Sequence, residues 1–429
     1  MHKKFYLLVW ILLLIACQDK PTPIPLTPAL QPTTAQLPQP SQTPTPVTHY
    51  ETYLPLTNSD SATATPTQSP PTLTPTPSYP VYTGPPLNRS DIGIQVHLHR
   101  QDIAEIFRHL QALNVGWVKV QVSWKLHQPY PDSYSDEYFA DLDKLVETAV
   151  AHNIAVLLSV AKAPEWSRPT TELDGPPTDF ALYQTFMNYL ATRYQGRVAA
   201  YELWNEMNLQ REWNGRPLNA TDFVNLIQLG AAGVRAADHN AILISGAPAP
   251  TGINDGVTAV DDRVYLQQML AAGLPNFVDA IGIHPYGWAN PPDATNAHLD
   301  TAVPSHNNHP SFFFQDTLTD YAALLTDYNA ANKPLWVTEF GWGTFDGLGF
   351  GSPTGAEFMT AVTEWQQAQY TLRAYEIAHN SPKIGPMILW NLNFGPLLGD
   401  GYAETGYSIL RPDGSPRPVY LALQAAPKE

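Results

Sequence analysis

From about residue 91 to the C-terminus, short runs of β-branched and other apolar residues alternate with stretches of helical periodicity. In the first helical stretch Ile103, Ile106, Leu110 and Leu113 recur at helical spacing. Eight strand-type runs occur, at residues 92–97, 117–122, 154–160, 198–204, 241–245, 278–283, 334–338 and 386–390. Such alternation favours βα units around a parallel sheet. Eight units predict a (β/α)8 TIM barrel with long loops. A doubly wound open sheet is the alternative, but the first run lacks a glycine-rich nucleotide loop after it.

The first 17 residues have the pattern of an export signal. Lys3 and Lys4 precede an apolar run over residues 5–16, which is short for a membrane span. The run ends at Cys17, the single cysteine of the chain, and residues 14–17 resemble a bacterial lipobox. That resemblance implies cleavage before Cys17 and a lipid on its sulfur. An ordinary signal peptide that happens to end near a cysteine is the alternative.

Residues 17–90 differ abruptly in composition from the rest of the chain. Pro, Thr, Ser and Gln dominate, and no Lys or Arg occurs between Lys20 and Arg89. Such a segment cannot bury enough apolar surface to offset its chain entropy, and its prolines favour an extended, semi-rigid stalk. We therefore predict a signal peptide at 1–16, a lipid-anchored stalk at 17–90 and a catalytic barrel at 91–429. The expected location is extracytoplasmic, at the bacterial cell surface or facing the periplasm.

Charge and cysteine content narrow the function further. The formal net charge of −16 argues against nucleic acid as a partner, because phosphate contacts need Lys and Arg. One cysteine excludes an intrachain disulfide. His306 and His309 lack a third ligand at metal spacing, so we predict no metal and no cofactor. We expect a monomer that contacts the membrane through its lipid alone.

Two glutamates stand where predicted strands meet their loops. The fourth run ends at Trp204-Asn205-Glu206, and the seventh is followed by Glu339. A TIM barrel carries its chemistry at the carboxyl ends of its strands. Glycoside hydrolysis needs two carboxyl groups beside the scissile bond, one protonated and one ionised. The alternative is that both are ordinary exposed loop carboxylates.

Two longer motifs around these glutamates resemble one group of enzymes. Residues 201–208, Tyr-Glu-Leu-Trp-Asn-Glu-Met-Asn, and residues 336–342, Trp-Val-Thr-Glu-Phe-Gly-Trp, resemble the signatures of the retaining TIM-barrel glycoside hydrolases. This clan includes the cellulase family 5 and the β-xylosidase family 39. By that resemblance Glu206 is the general acid/base, Glu339 is the nucleophile and Asn205 hydrogen-bonds the substrate 2-hydroxyl. Like-charge repulsion from Glu339 is expected to raise the pKa of Glu206.

Further strand-end residues match the clan's substrate-binding positions less specifically. His284-Pro285-Tyr286 resembles a conserved motif in which the tyrosine bonds the nucleophile and the histidine lines the subsite. Trp390 ends the eighth run, where the clan places an aromatic floor, and His97 after the first run is a candidate for the cleft wall. Lys119 stands where relatives commonly carry an arginine, and lysine lacks the planar guanidinium fork. This departure leaves the family open at this stage.

The resemblance implies a retaining glycosidase that acts on β-linked plant or microbial polysaccharides or oligosaccharides. A carbohydrate-binding surface lipoprotein of the same fold, without turnover, is the alternative. The presence of both Glu206 and Glu339 favours the enzyme. The sugar, the linkage and the choice between endo and exo cleavage depend on loops and stay open.

Overall fold

The structure is a computed structural model and describes residues 78–399 and 401–429. Cys17, the predicted signal peptide and most of the predicted stalk therefore lie outside the described residues. The described chain contains eight parallel strands that alternate with helices. The strands are β1 (Ile92–Val96), β2 (Trp117–Ser123), β3 (Ala155–Ala161), β4 (Ala200–Leu203), β5 (Ile242–Ser245), β6 (Ile281–Ile283), β7 (Leu335–Phe340) and β8 (Ile384–Leu389).

Ten α-helices occur among the described residues, two of them a single turn long. They are α1 (Ile103–Leu113), α2 (Trp124–His127), α3 (Asp136–Ala151), α4 (Ala181–Arg193), α5 (Ala220–Ala237), α6 (Asp262–Ala271), α7 (Phe314–Asp327), α8 (Glu364–His379), α9 (Gly395–Leu398) and α10 (Pro418–Ala425). Within this part of the chain no helix has the length and apolar character needed to cross a bilayer.

The eight strands form one sheet in the order β5-β4-β3-β2-β1-β8-β7-β6, and every recorded strand pair is parallel. The two ends of this order meet through a parallel bridge between Ile244 and Ala280. The predicted (β/α)8 barrel is therefore confirmed. Strand β6 is shorter than the predicted run 278–283, and just before it the backbone N–H groups of Asp279 and Ala280 both donate to the Leu243 carbonyl of β5.

Strand alternation divides the core into a barrel interior and a layer beneath the helices. Successive side chains of a strand point to opposite faces, so Val118, Val120 and Val122 pack with helix residues. Trp117, on the other face of β2, belongs to an interior layer that contains no helix residue. That layer consists of Trp117, Leu157, Ala200, Ile244, Ala280, Trp336 and Ile388. Two residues further along β2 the same face carries Lys119, at the next level toward the carboxyl ends.

Helix α8 shows where the sequence interpretation missed a boundary. The sequence of residues 356–379 predicts a single helix, but a 3-10 turn at Glu357–Ala361 precedes α8. The Thr363 hydroxyl accepts from the Gln366 N–H while the Gln366 side chain accepts from the Thr363 N–H. This capping box starts a new helix at Glu364.

Before β1, Leu87 hydrogen-bonds to the backbone of residues 427 and 429, which joins the two ends of the barrel domain.

Candidate active site

Glu206 lies in the first turn after β4, in a strained backbone conformation. Trp204 and Glu206 both have left-handed φ angles, 79° and 43°, which non-glycine residues seldom adopt. The Glu206 N–H donates to the Ala247 carbonyl at 3.0 Å and so holds the turn in place. Strain of this kind persists where the surroundings fix it, and it is concentrated at functional sites.

Both carboxylate oxygens of Glu206 have cationic or ring N–H partners. Oε1 lies 3.4 Å from His284 Nδ1, and Oε2 accepts from Arg211 Nη2 at 2.7 Å. Burial alone would raise the pKa of Glu206, but the bond to His284 and the charge of Arg211 outweigh it and lower the pKa to about 2. The expected upward shift of the Glu206 pKa is therefore wrong. The two close partners, His284 and Arg211, account for the lowered pKa.

Glu339 is the fifth residue of β7, and its side chain is 9% exposed. Lys119 Nζ lies 3.1 Å from Oε1, and the Tyr286 hydroxyl donates to Oε2 at 3.1 Å. The Gln95 amide, oriented to satisfy its neighbours, donates to Oε1 at 3.2 Å and accepts from Trp390 Nε1 at 2.9 Å. All three donors stabilise an ionised carboxylate.

Lys119 is fully buried and stands between two carboxylates. Its ammonium lies 3.0 Å from Glu202 Oε2 and 3.1 Å from Glu339 Oε1, and it donates to the Thr338 carbonyl at 3.0 Å. Burial opposes the charge, yet Glu202 and Glu339 raise the pKa of Lys119. Lys119 was predicted as a substrate-binding residue. At this position its ammonium contacts the Glu339 carboxylate from within the barrel.

His284 lies between Glu206 and Glu202. Its Nδ1 faces Glu206 Oε1, and its Nε2 lies 4.0 Å from Glu202 Oε1. Burial disfavours the charged ring, but the carboxylates of Glu339 and Glu206 raise the pKa of His284. The residue is 1% exposed, so its ring contacts Glu206 from the buried side of the carboxylate.

Aromatic side chains form a wall beside Glu339. Trp390 makes edge-to-face contacts with Tyr286 and Tyr407, with ring centroids 6.4 and 5.4 Å apart. The His97 ring packs edge-on against Phe394 at 5.0 Å. Burial lowers the pKa of His97 to about 4 although Glu339 opposes the shift, so the ring is neutral at ordinary pH. The arrangement places an apolar aromatic surface beside Glu339.

Asn205 carries the remaining predicted contact. The residue is 6% exposed, and its Oδ1 is buried without a hydrogen-bond partner among the described residues. A buried amide oxygen without a partner is costly, and a sugar hydroxyl would satisfy it. In the same part of the chain, no cluster of three His, Cys, Asp or Glu side chains is placed to hold a metal ion.

Sequence reasoning missed Arg211, Glu202 and Gln95. Glu202 and Gln95 were legible in principle, because each is a polar residue inside an apolar strand on the face that points into the barrel. Arg211 had no such signal. Its contact with Glu206 depends on the path of the loop between β4 and α5.

Comparisons with solved structures agree with this architecture. A family 39 glycoside hydrolase from Bacteroides cellulosilyticus is 20% identical, with a TM-score of 0.59 over 79% of this chain and 63% of that chain. This chain thus spans less than two thirds of that enzyme. A glucosidase from Croceicoccus marinus is 15% identical, with a TM-score of 0.56 over 80% of this chain and 68% of that one. An endoglucanase from Thermotoga maritima is 14% identical, with a TM-score of 0.50 over 78% and 98%.

At these identities the likeness establishes the fold. Among curated proteins, none matches the chain by sequence. The family model described as cellulase, glycosyl hydrolase family 5, matches residues 84–393, which is more than half of the 429-residue chain. The match includes both candidate carboxylates. The chain therefore belongs to glycosyl hydrolase family 5.

Proposed function

We propose that the protein is a retaining β-glycosidase of polysaccharides or oligosaccharides, with Glu206 as general acid/base and Glu339 as nucleophile. The observation that carries the proposal is that the two carboxylates have different surroundings. Glu339 is held by Lys119, Tyr286 and Gln95 inside the barrel mouth. Glu206 lies on the loop after β4, where it contacts Arg211 and His284.

In the first step the Glu339 carboxylate attacks the anomeric carbon, and the bond to the leaving oxygen breaks. Glu206 gives its proton to that oxygen, so the leaving sugar departs as a neutral alcohol. The glycosyl group is then an ester of Glu339. The Asn205 amide is placed to hold the 2-hydroxyl, a contact that strengthens in the transition state.

In the second step Glu206, now ionised, takes a proton from a water molecule, which attacks the same carbon. The ester bond to Glu339 breaks, and Glu339 returns to its carboxylate form. Two inversions leave the configuration unchanged. His284 and Arg211 stabilise the ionised Glu206 that this step requires.

Azide rescue tests the nucleophile. We expect Glu339→Ala to abolish turnover of an activated aryl β-glycoside, and azide to restore part of it by entering the vacated face. The product should be a glycosyl azide of inverted configuration. Normal activity in Glu339→Ala would refute the assignment.

Proton NMR of the first-formed sugar tests the stereochemistry. A retaining enzyme releases the β-anomer first from a β-glycoside, before mutarotation. Initial release of the α-anomer would show inversion and refute the two-step mechanism. A panel of nitrophenyl glycosides and dyed β-glucans identifies the sugar and separates exo from endo action. Failure to hydrolyse any of them would favour a binding protein.

We also propose that the enzyme works outside the cytoplasm on a lipid anchor at Cys17. The support comes from the sequence: a basic start, a short apolar run and a single cysteine where that run ends. Acyl chains would hold the enzyme at the membrane, and the proline-rich segment would separate the barrel from it.

A further inference from the structure

Arg211 occupies one oxygen of the proposed acid/base. Its Nη2 donates to Glu206 Oε2 at 2.7 Å, and this is its sole hydrogen bond to the described residues. The Arg211 side chain is 29% exposed, so it is accessible from outside the barrel. Its remaining N–H groups are available to a ligand.

The pair conflicts with the first catalytic step. An acid catalyst must carry a proton, and a protonated Glu206 has no charge to offset the guanidinium. Arginine stays charged at any working pH. When Glu206 is ready to act, Arg211 therefore needs another anion.

The neighbouring carboxylates do not supply that anion well. Asp174 already lies 2.5 Å from Lys125 and 3.8 Å from Lys162. Glu212 is 3% exposed, and burial raises its pKa to about 7 against the charges of Lys162 and Arg211. Burial likewise raises the pKa of Glu404. Among the described residues, Glu206 is thus the one carboxylate within hydrogen-bonding distance of the Arg211 guanidinium.

The position of Arg211 indicates which part of a substrate would meet it. The residues around Glu339 come from β1, β2, β7 and β8 and from the loop after β6, where the sugar to be cleaved would lie. Arg211 and Glu212 follow β4 instead, and Lys162 and Asp174 follow β3, whereas Lys125 follows β2 and Glu404 follows β8. Since Glu206 protonates the leaving oxygen, a group beside it on this side belongs to the leaving sugar.

We propose that the leaving-group subsite binds a sugar bearing a carboxylate, which pairs with Arg211 and frees Glu206 to take up a proton. The substrate class is thus a β-glycoside with a uronic acid on its leaving-group side. The inference rests on the proposed function, because it takes Glu206 as the acid/base. The planar guanidinium matches a second carboxylate as well as it matches that of Glu206.

Matched aryl glycosides test the proposal. The sugar is the one selected by the nitrophenyl panel, and the leaving group is 3-carboxyphenyl or its neutral counterpart 3-carbamoylphenyl. We expect the wild-type kcat/KM to favour the carboxylate by about tenfold to a hundredfold, the range for a hydrogen-bonded charge. Equal values would overturn the inference.

The Arg211→Gln variant should reverse this preference. Its kcat/KM should fall on the carboxylate and rise on the carbamoyl substrate, because only His284 of the two partners then remains to hold Glu206 ionised. On the carbamoyl substrate its alkaline limb should move to higher pH. Arg211→Lys, which keeps the charge without the fork, should retain part of the preference. Arg216→Gln is the matched control, because Arg216 lies in the same loop and pairs with Asp222.

The outcomes separate the two proposals. Hydrolysis of neither substrate, whatever the sugar, would refute the glycosidase mechanism and this inference with it. Hydrolysis of both at equal rates would refute this inference alone. A carboxylate preference that survives in Arg211→Gln would place the anion elsewhere and would also refute it.

Discussion

Replacing Lys119 with methionine removes a buried charge and keeps a side chain of similar length. Lys119 and Glu202 are fully buried, and the Glu339 side chain is 9% exposed. The ammonium lies 3.0 and 3.1 Å from their carboxylate oxygens. Without it two carboxylates remain in the barrel with one cation fewer between them.

Removing one partner of a buried ion pair costs about 3–5 kcal/mol. Lys119 faces two carboxylates and also donates to the Thr338 carbonyl, so we expect a loss near the upper end, about 4–5 kcal/mol. The double variant Lys119→Met/Glu202→Gln removes both charges. It should recover about half of the loss or more, because replacing a whole buried pair is often close to neutral.

Urea denaturation followed by tryptophan fluorescence measures these free energies of unfolding. Lys333→Met is the matched control, since Lys333 donates to the Val278 carbonyl away from the site, and it should cost about 1 kcal/mol. A loss no larger than that of Lys333→Met, or a double variant less stable than the single one, would refute the reasoning.

Three further changes test separate parts of the proposal. Tyr286→Phe removes the hydroxyl that donates to Glu339 Oε2; kcat/KM should fall by about tenfold to a hundredfold, while the urea midpoint stays near that of wild type. Glu206→Ala should slow glycosides with poor leaving groups at least about a hundredfold more than dinitrophenyl glycosides, which need little protonation; a uniform loss in kcat/KM across leaving groups would contradict the acid role. Cys17→Ser should move the protein from the membrane to the soluble fraction with unchanged specific activity; continued sedimentation with membranes would contradict the lipid anchor.

Much of the fold could be predicted from the sequence, because strand and helix periodicities are local. The predicted runs fall within a few residues of the observed strands, and Glu206 and Glu339 lie at the carboxyl ends of β4 and β7. The interior position of Lys119 also follows from alternation, since Val118 and Val120 face the helices. The same alternation places Glu202, between Tyr201 and Leu203, on the interior face of β4.

The electrostatic state of Glu206 could not be obtained in that way. The sequence places Arg211 five residues after Glu206, a spacing that has no fixed geometry in a loop. The left-handed turns at Trp204 and Glu206 set the direction of the loop after β4. Its side-chain contacts then decide that two positive partners, rather than Glu339, control the carboxylate. Long-range contacts of this kind are absent from any local pattern.

The two candidate carboxylates also share a buried connection. From Glu206 it passes to His284, then to Glu202, then to Lys119 and finally to Glu339, with separations of 3.4, 4.0, 3.0 and 3.1 Å. Charges alternate along this chain when His284 is protonated, so the two cations are each flanked by two carboxylates. In the proposed first step Glu206 loses a proton while Glu339 loses its charge to the ester. Negative charge thus leaves one end of the connection as it appears at the other. A substitution at Glu202 should consequently disturb both catalytic steps, although its side chain is fully buried.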